Sequence, residues 1–298
     1  MKTFNKLSTA LIGAVVIMAI AQPIAVVAIS TKVPSEFVVT QAKAEDFFNQ
    51  GNEKYKKGDY QGAIAAFSQA IKLNPNYVEA YVNRGVTRAQ LGDKQGALAD
   101  YKEALRINPN DALAYYSRGI IRDELGDKQG ALADFNEALR INPNDAFAYY
   151  SRGIIRDDLG DKQGAIADFN EAVRINPNLA EAYFNLGVTR AELGDKQGAL
   201  ADYKEALRIN PNDTKAYFNR GLIRDELGDK QGAVADYNEA LRINPNYAEA
   251  YLNRGIIRYE LGEKPGAIQD FQKAADLFQK QGDQSNYQKA VDNLKKLQ

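Results

Sequence analysis

Residues 112–145 read ALAYYSRGIIRDELGDKQGALADFNEALRINPND, and residues 146–179 repeat them almost letter for letter as AFAYYSRGIIRDDLGDKQGAIADFNEAVRINPNL. The interval is 34 residues, and it carries Gly119 and Gly153 outward to Gly51, Gly85, Gly187, Gly221 and Gly255. Inside one unit, Tyr115, Gly119 and Arg122 fall on one helical face, which ends at Leu125-Gly126-Asp127. Ala131, Phe135 and Ala138 then mark a second face at helical spacing, and Asn142-Pro143 stops it because proline cannot continue a helix. Each unit is therefore a short amphipathic helix pair. Such a pair cannot bury its apolar faces alone, so units stack on one another. The expected fold is all-α, a right-handed superhelical α-solenoid of seven helix–turn–helix repeats.

The positions that recur are those that packing requires. Small residues return where two helices must cross closely: the glycine series, and Ala63, Ala97, Ala131, Ala165, Ala199, Ala233 and Ala267. A larger side chain there costs about 1–3 kcal/mol of overpacking. An aromatic recurs at Phe67, Tyr101, Phe135, Phe169, Tyr203, Tyr237 and Phe271, and another at Phe47, Tyr81, Tyr115, Tyr149, Tyr183, Tyr217 and Tyr251. This series of aromatic, glycine, alanine, aromatic, alanine and closing proline resembles the tetratricopeptide repeat family over residues 44–279. The resemblance implies that first helices of successive repeats line a concave groove that receives segments of partner proteins.

Two departures stand out. Arginine replaces the family's leucine at Arg84, Arg118, Arg152, Arg220 and Arg254, with Leu186 the exception. Arginine also replaces its tyrosine at Arg88, Arg122, Arg156, Arg190, Arg224 and Arg258. Cations between paired helices require partners, and Asp100, Asp134, Asp168, Asp202, Asp236 and Asp270 recur on the second helix. A structural ion-pair ladder is the expected reading. Acids at the helix starts (Asp111, Asp145, Asp213, and Glu79, Glu181, Glu249) complement the helix dipole. Asn76, Asn178 and Asn246 are expected to cap the helices that carry those glutamates.

By resemblance, the groove carries Val82, Tyr116, Tyr150, Phe184, Phe218 and Leu252, with Ile120, Ile154 and Leu222 one turn along. Asn83, Asn185, Asn219 and Asn253 run beside them, and Asp123, Asp157 and Asp225 stand at the edge. Aromatics would anchor apolar side chains, amides would meet backbone groups, and the acids would favour a basic partner. Packing between neighbouring first helices is the competing reading of the same rows.

Composition narrows the function. The 298 residues contain neither cysteine nor histidine, which removes disulfides, Cys/His metal sites, a histidine base and a cysteine nucleophile. Basic and acidic residues number 38 and 39 and are well mixed, which argues against nucleic acid. No phosphate loop or metal constellation is visible, so neither an enzyme nor a cofactor or metal site is expected. The expected role is a non-catalytic scaffold or adaptor for protein partners. An architectural subunit using its convex face or ends, and a promiscuous holdase for exported chains, are the alternatives.

Outside the repeats, Lys2 and Lys6 precede an apolar run from Leu11 to Ile20, and a second run covers Ile24 to Ile29. A basic start followed by an apolar stretch is the pattern of an export signal. Residues 1–29 are read as a signal peptide or an N-terminal membrane anchor, with residues 7–29 as the tether, and 30–43 as a linker. The expected location is periplasmic or otherwise extracytoplasmic, or at the membrane. Tyr287, Ala290, Val291, Leu294 and Leu297 predict an amphipathic capping helix over 283–298.

Overall fold

A computed structural model describes residues 35–297, and all regular structure among them is α-helical. The export or anchor segment read at 1–29 lies outside the described residues. Two compact units divide within the first turn of α8 (Lys162–Ile175). The first unit holds α1 (Ser35–Lys56), α2 (Tyr60–Leu73), α3 (Val78–Gln90), α4 (Lys94–Ile107), α5 (Ala112–Glu124), α6 (Lys128–Ile141) and α7 (Ala146–Asp158). The second holds α9 (Ala180–Glu192), α10 (Lys196–Ile209), α11 (Thr214–Glu226), α12 (Lys230–Ile243), α13 (Ala248–Glu260), α14 (Lys264–Gln281) and α15 (Gln284–Lys295). Within each unit the helices pack as consecutive antiparallel pairs, and each first helix also touches the next first helix: α1, α3, α5 and α7 in the first unit, α9 and α11 in the second.

The crossing glycines sit under aromatic rings. A Cβ built on Gly119 would lie 2.8 Å from Phe135, and one on Gly221 would lie 2.8 Å from Tyr237. Phe135 and Tyr237 are fully buried, so the ring has nowhere to retreat. Gly119→Ala is expected to destabilise the protein by about 1–3 kcal/mol through overpacking. Urea unfolding followed by circular dichroism checks this, and an unchanged midpoint would refute it.

The turn inside every repeat but the last, where Glu263 makes no side-chain cap bond, has a device that the repeat pattern alone did not suggest. Gly126 takes φ 85°, a left-handed conformation that other residues rarely adopt, and ends α5. Asp127 then caps α6, its carboxylate accepting from the Gly130 N–H at 2.9 Å. Gly130 lies so close to that carboxylate that any side chain would collide with it. Asp59, Asp93, Asp195 and Asp229 repeat the arrangement, each accepting from the glycine three residues on. The spacing Gly-Asp-x-x-Gly is its signature in the sequence.

Caps at the first helices differ from expectation. Asp111, Asp145 and Asp213 do cap α5, α7 and α11. Asn76, Asn178 and Asn246 do not cap anything. The residues at those N-caps are Tyr77, Leu179 and Tyr247, with no side-chain bond. The asparagine before the proline is already occupied: Asn74 Oδ1 accepts from the Asn76 N–H at 3.1 Å, tying the Asn-Pro-Asn turn together. In those helices the N-cap carbonyl takes one early amide, as in Ala80 N–H to Tyr77 O at 3.1 Å, and Glu79, Glu181 and Glu249 in the first turn complement the dipole.

Both ends extend the repeats. α1 begins at Ser35, inside the stretch expected to be a linker, because no proline or glycine interrupts 35–50. At the other end Gly282, at φ 73°, stops α14, and Asp283 caps α15 by accepting from the Asn286 N–H. Ala290 and Leu297 then join Phe271, Leu277 and Phe278 in one buried cluster, which closes the open face of the last repeat as predicted.

Candidate functional site

The arginines and aspartates form the expected ladder. In the third repeat, Arg118 donates Nε and Nη2 to the two oxygens of Asp134 at 2.9 and 2.6 Å. Arg122 adds Nη1 at 2.9 Å, and Asp134 is almost fully buried. The same pair of arginines holds Asp100, Asp236 and Asp270. The outer arginine also lies over the first-helix tyrosine, Arg118 at 5.4 Å from the Tyr115 ring. These contacts join the two helices of one repeat around a buried carboxylate.

The rung at Asp202 is incomplete. Leu186 stands where other repeats carry the first arginine, so Asp202 is held from the first helix by Arg190 alone, at 2.7 Å. Burial disfavours the carboxylate and pushes its pKa up to about 7, against the pull of Arg190.

The groove rows are closed. Val82, Tyr116, Tyr150, Phe184, Phe218 and Leu252 are all buried, Leu252 being the most exposed at 8%. Ile120, Ile154 and Leu222 are buried as well. The reason is packing on both sides: Tyr116 tilts against Phe135 of its own repeat at 5.8 Å, and Phe218 tilts against Tyr237 of its own repeat at 5.8 Å and against Tyr247, at the start of the next first helix, at 4.8 Å. The asparagine row is turned inward too. Asn83, Asn185 and Asn219 are buried and Asn253 is half-buried. Asn83 Nδ2 donates to Asn52 Oδ1 at 2.8 Å, linking α3 to α1. An exposed aromatic ladder, the expectation from the sequence, is thereby corrected: these residues join repeats.

The acidic edge is neutralised. Asp157 is buried and accepts from Lys162 Nζ at 3.2 Å; Asp123 and Asp225 are half-buried. Next to them runs an inter-repeat ladder that was not expected from the sequence. Lys94 meets Glu124 at 3.3 Å, Lys196 meets Glu226 at 3.2 Å, Lys230 meets Glu260 at 2.5 Å, and Lys128 meets Asp158. Each lysine opens a second helix and reaches the end of the next first helix. Its sequence signal is covariation, since the first repeat has Tyr60 in place of the lysine and the second has Gln90 in place of the acid.

What remains open is different. Apart from Tyr259, the large hydrophobics exposed among the described residues are Leu91, Leu125, Leu159, Leu193 and Leu227, between 39 and 45% exposed. Each ends a first helix at the same place in its repeat. Beside α3 and α5 there is also a cavity of about 100 Å³. Val86, Ala89, Ile120 and Ile121 supply its aliphatic walls, and Tyr101 and Ser117 line it with hydroxyls. Gln90 and Glu124 complete it.

Family models for the tetratricopeptide repeat match residues 48–112, 89–146, 157–194, 180–213, 202–235, 224–262 and 249–280. The chain belongs to the tetratricopeptide repeat family. Among solved structures this tetratricopeptide repeat protein is similar to YrrB, described as a TPR protein with an unusual peptide-binding site. Identity is 26% over 62% of this chain and 95% of that one, with a TM-score of 0.56. MamA is 30% identical over 55% of this chain and 96% of its own, with a TM-score of 0.52. A tetratricopeptide repeat protein from Parabacteroides merdae shares the fold over 86% of this chain and 99% of its own, at 24% identity and a TM-score of 0.59. No curated protein sequence matches the chain. Membership makes this a protein–protein interaction scaffold of a kind that is generally not catalytic.

Proposed function

We propose that the protein seats segments of partner proteins along the ends of its first helices, outside the cytoplasm. The observation that carries this reading is the leucine at the same exposed place in three successive repeats of the first unit, Leu91, Leu125 and Leu159. Single exposed leucines are ordinary on any surface. A regular apolar row framed by charged pairs is not, and such rows mark interfaces. Because the neighbouring carboxylates already hold lysines, the row offers an apolar contact in a charge-balanced frame, and a basic partner has no special claim on it. The peptide-binding site named for YrrB lends support by analogy of fold.

The test uses residues that packing does not need. With Leu91, Leu125 and Leu159 changed to aspartate, cross-linked partners recovered from intact cells are expected to fall about fivefold, roughly 1 kcal/mol of contact. The melting temperature should stay within a few degrees, since exposed positions contribute little to stability. Unchanged partner recovery would refute the leucine edge. Substituting the buried Tyr116 or Phe218 instead would unfold the repeat and decide nothing.

Export rests on Lys2, Lys6 and the apolar run Leu11 to Ile20. No helix among the described residues is long and apolar enough to cross a membrane. Fractionation of cells expressing the chain with and without residues 1–29 tests the location. Export or membrane attachment should be lost with the deletion, and an identical distribution of the two forms would overturn it.

A further inference from the structure

Leu186 leaves more than one group without its usual partner. The seventh repeat shows the full set. Arg254 donates Nε and Nη2 to Asp270 at 2.9 and 2.6 Å, donates Nη1 to Asn238 Oδ1 at 2.6 Å, and lies 5.4 Å from the centre of the Tyr251 ring. The fifth repeat keeps all three of those partners at the same spacings, as Asp202, Asn170 and Tyr183, and has leucine in place of the arginine. Leucine replaces the apolar stem of an arginine and carries no donor for the carboxylate. Among the described residues the Asn170 carboxamide makes no hydrogen bond and no cation lies over the Tyr183 ring. Asn170 is exposed and Tyr183 half-buried, so both are reached from solvent. The Asp202 side chain is 8% exposed, against 3% for Asp100, Asp134, Asp236 and Asp270, whose rungs are complete.

We propose that Asp202, Asn170 and Tyr183 form a site for a guanidinium supplied from outside, the arginine side chain of a partner protein. The site does not depend on the leucine edge. Three observations select the chemistry. The corresponding groups of the seventh repeat hold a guanidinium already, with two donors on the carboxylate, one on the asparagine and the cation over the ring. Asp202 is also short of positive charge. Burial pushes its pKa up to about 7, Arg190 offsets this only in part, and Asp195 adds repulsion. Water supplies no charge to offset that burial. An ammonium brings the charge, but as a point donor it cannot present two parallel N–H groups to a carboxylate while its plane stacks on a ring.

The test titrates the purified protein at pH 8, where Asp202 is ionised, with its leucine methyls and tyrosine rings labelled. Nα-acetyl-arginine amide is expected to shift the Leu186 methyl and Tyr183 ring resonances saturably, and to bind at least about tenfold tighter than Nα-acetyl-lysine amide. Free arginine should bind no tighter than the arginine amide, because the site offers nothing to its α-carboxylate. Tighter binding of the free amino acid would overturn the assignment to a protein segment. Leu186→Arg supplies the guanidinium from within and should weaken the arginine amide at least about tenfold. Asn170→Ala, at an exposed position, should keep its melting temperature and weaken the same probe about fivefold, so the test stands even if the arginine variant fails to fold. Equal binding of the lysine amide, undiminished binding in a folded Leu186→Arg or in Asn170→Ala, or no saturable shift with any probe would each overturn the site. These readouts need no partner protein and leave the leucine edge to its own test.

Discussion

Asp134→Ala is expected to cost about 3–5 kcal/mol, the range for removing one partner of a buried ion pair. The carboxylate accepts three guanidinium hydrogen bonds and is 2% exposed. Its loss strands two cations between α5 and α6. Arg118 and Arg122 keep other contacts, the Tyr115 ring and the Gly130 carbonyl, and their side chains are 18 and 30% exposed. Some relaxation toward water is therefore open to them, which places the effect toward the lower end of the range. Two comparisons make the result specific. Glu137→Ala breaks only the exposed pair with Arg140 at 2.8 Å, and should change stability by less than about 1 kcal/mol. Arg118→Leu, Arg122→Tyr and Asp134→Leu together replace the whole rung by apolar groups at the places where the family prefers leucine and tyrosine. That triple variant should recover most of the loss, because apolar replacement of a complete buried ion pair is often neutral or stabilising. Urea unfolding of all three variants is the measurement. A loss below about 1 kcal/mol for Asp134→Ala, or no recovery in the triple variant, would show that the rung does not join the two helices.

The architecture was legible because stacking imposes the same demand seven times. A residue such as Gly119 has one explanation, the ring of Phe135 above it, and its recurrence states that explanation before any coordinate is known. The arginine–aspartate rung was legible for the same reason, since a cation between paired helices at a fixed interval needs an anion at the same interval. The groove was not legible. Tyr116 and Phe218 belong to the first helix and stand at positions the family opens to ligands, yet here those positions carry large aromatics that fold down onto the second helix of their own repeat and, for Phe218, onto the start of the next first helix. How far a first helix stands from the next depends on the side chains between them, and one repeat read alone does not contain that distance. The pairing of Lys94 with Glu124 was hidden from the same cause: the two residues lie 30 apart in neighbouring repeats, so the pair shows only when one unit is compared with the end of the following one. Leu91 and Leu125 read as apolar residues that end an amphipathic face, and only their exposure distinguishes them from the core.

Leu186→Arg is expected to change how stability depends on pH more than stability itself. In the protein as it stands, Asp202 has a folded pKa of about 7 against an ordinary carboxylate value of 3.8, because burial outweighs the single arginine at 2.7 Å. A raised carboxylate pKa means that the folded state binds the proton more tightly than the unfolded one. Between pH 3.8 and about 7 the folded chain carries more protons, so this group's contribution to stability is greatest at the acid end and falls as pH rises through 7. A tenfold difference in proton affinity between the two states corresponds to about 1.4 kcal/mol, and relaxation of the site leaves an expected fall of about 2 kcal/mol from pH 5 to pH 8. Arginine at position 186 would complete the rung as Arg118 does for Asp134, through Nε and Nη2, and hold Asp202 ionised in both states. The variant loses the buried leucine, so at pH 5 it should be no more stable than the parent. By pH 8 its stability relative to the parent should have risen by about 2 kcal/mol. Working with that difference removes the exposed carboxylates common to both proteins, among them Asp59 and Asp283, whose lowered pKa values act with the opposite sign. Denaturant unfolding of both proteins at pH 5, 6, 7 and 8 decides the matter. A difference that does not change with pH would mean that Arg190 alone already keeps Asp202 ionised.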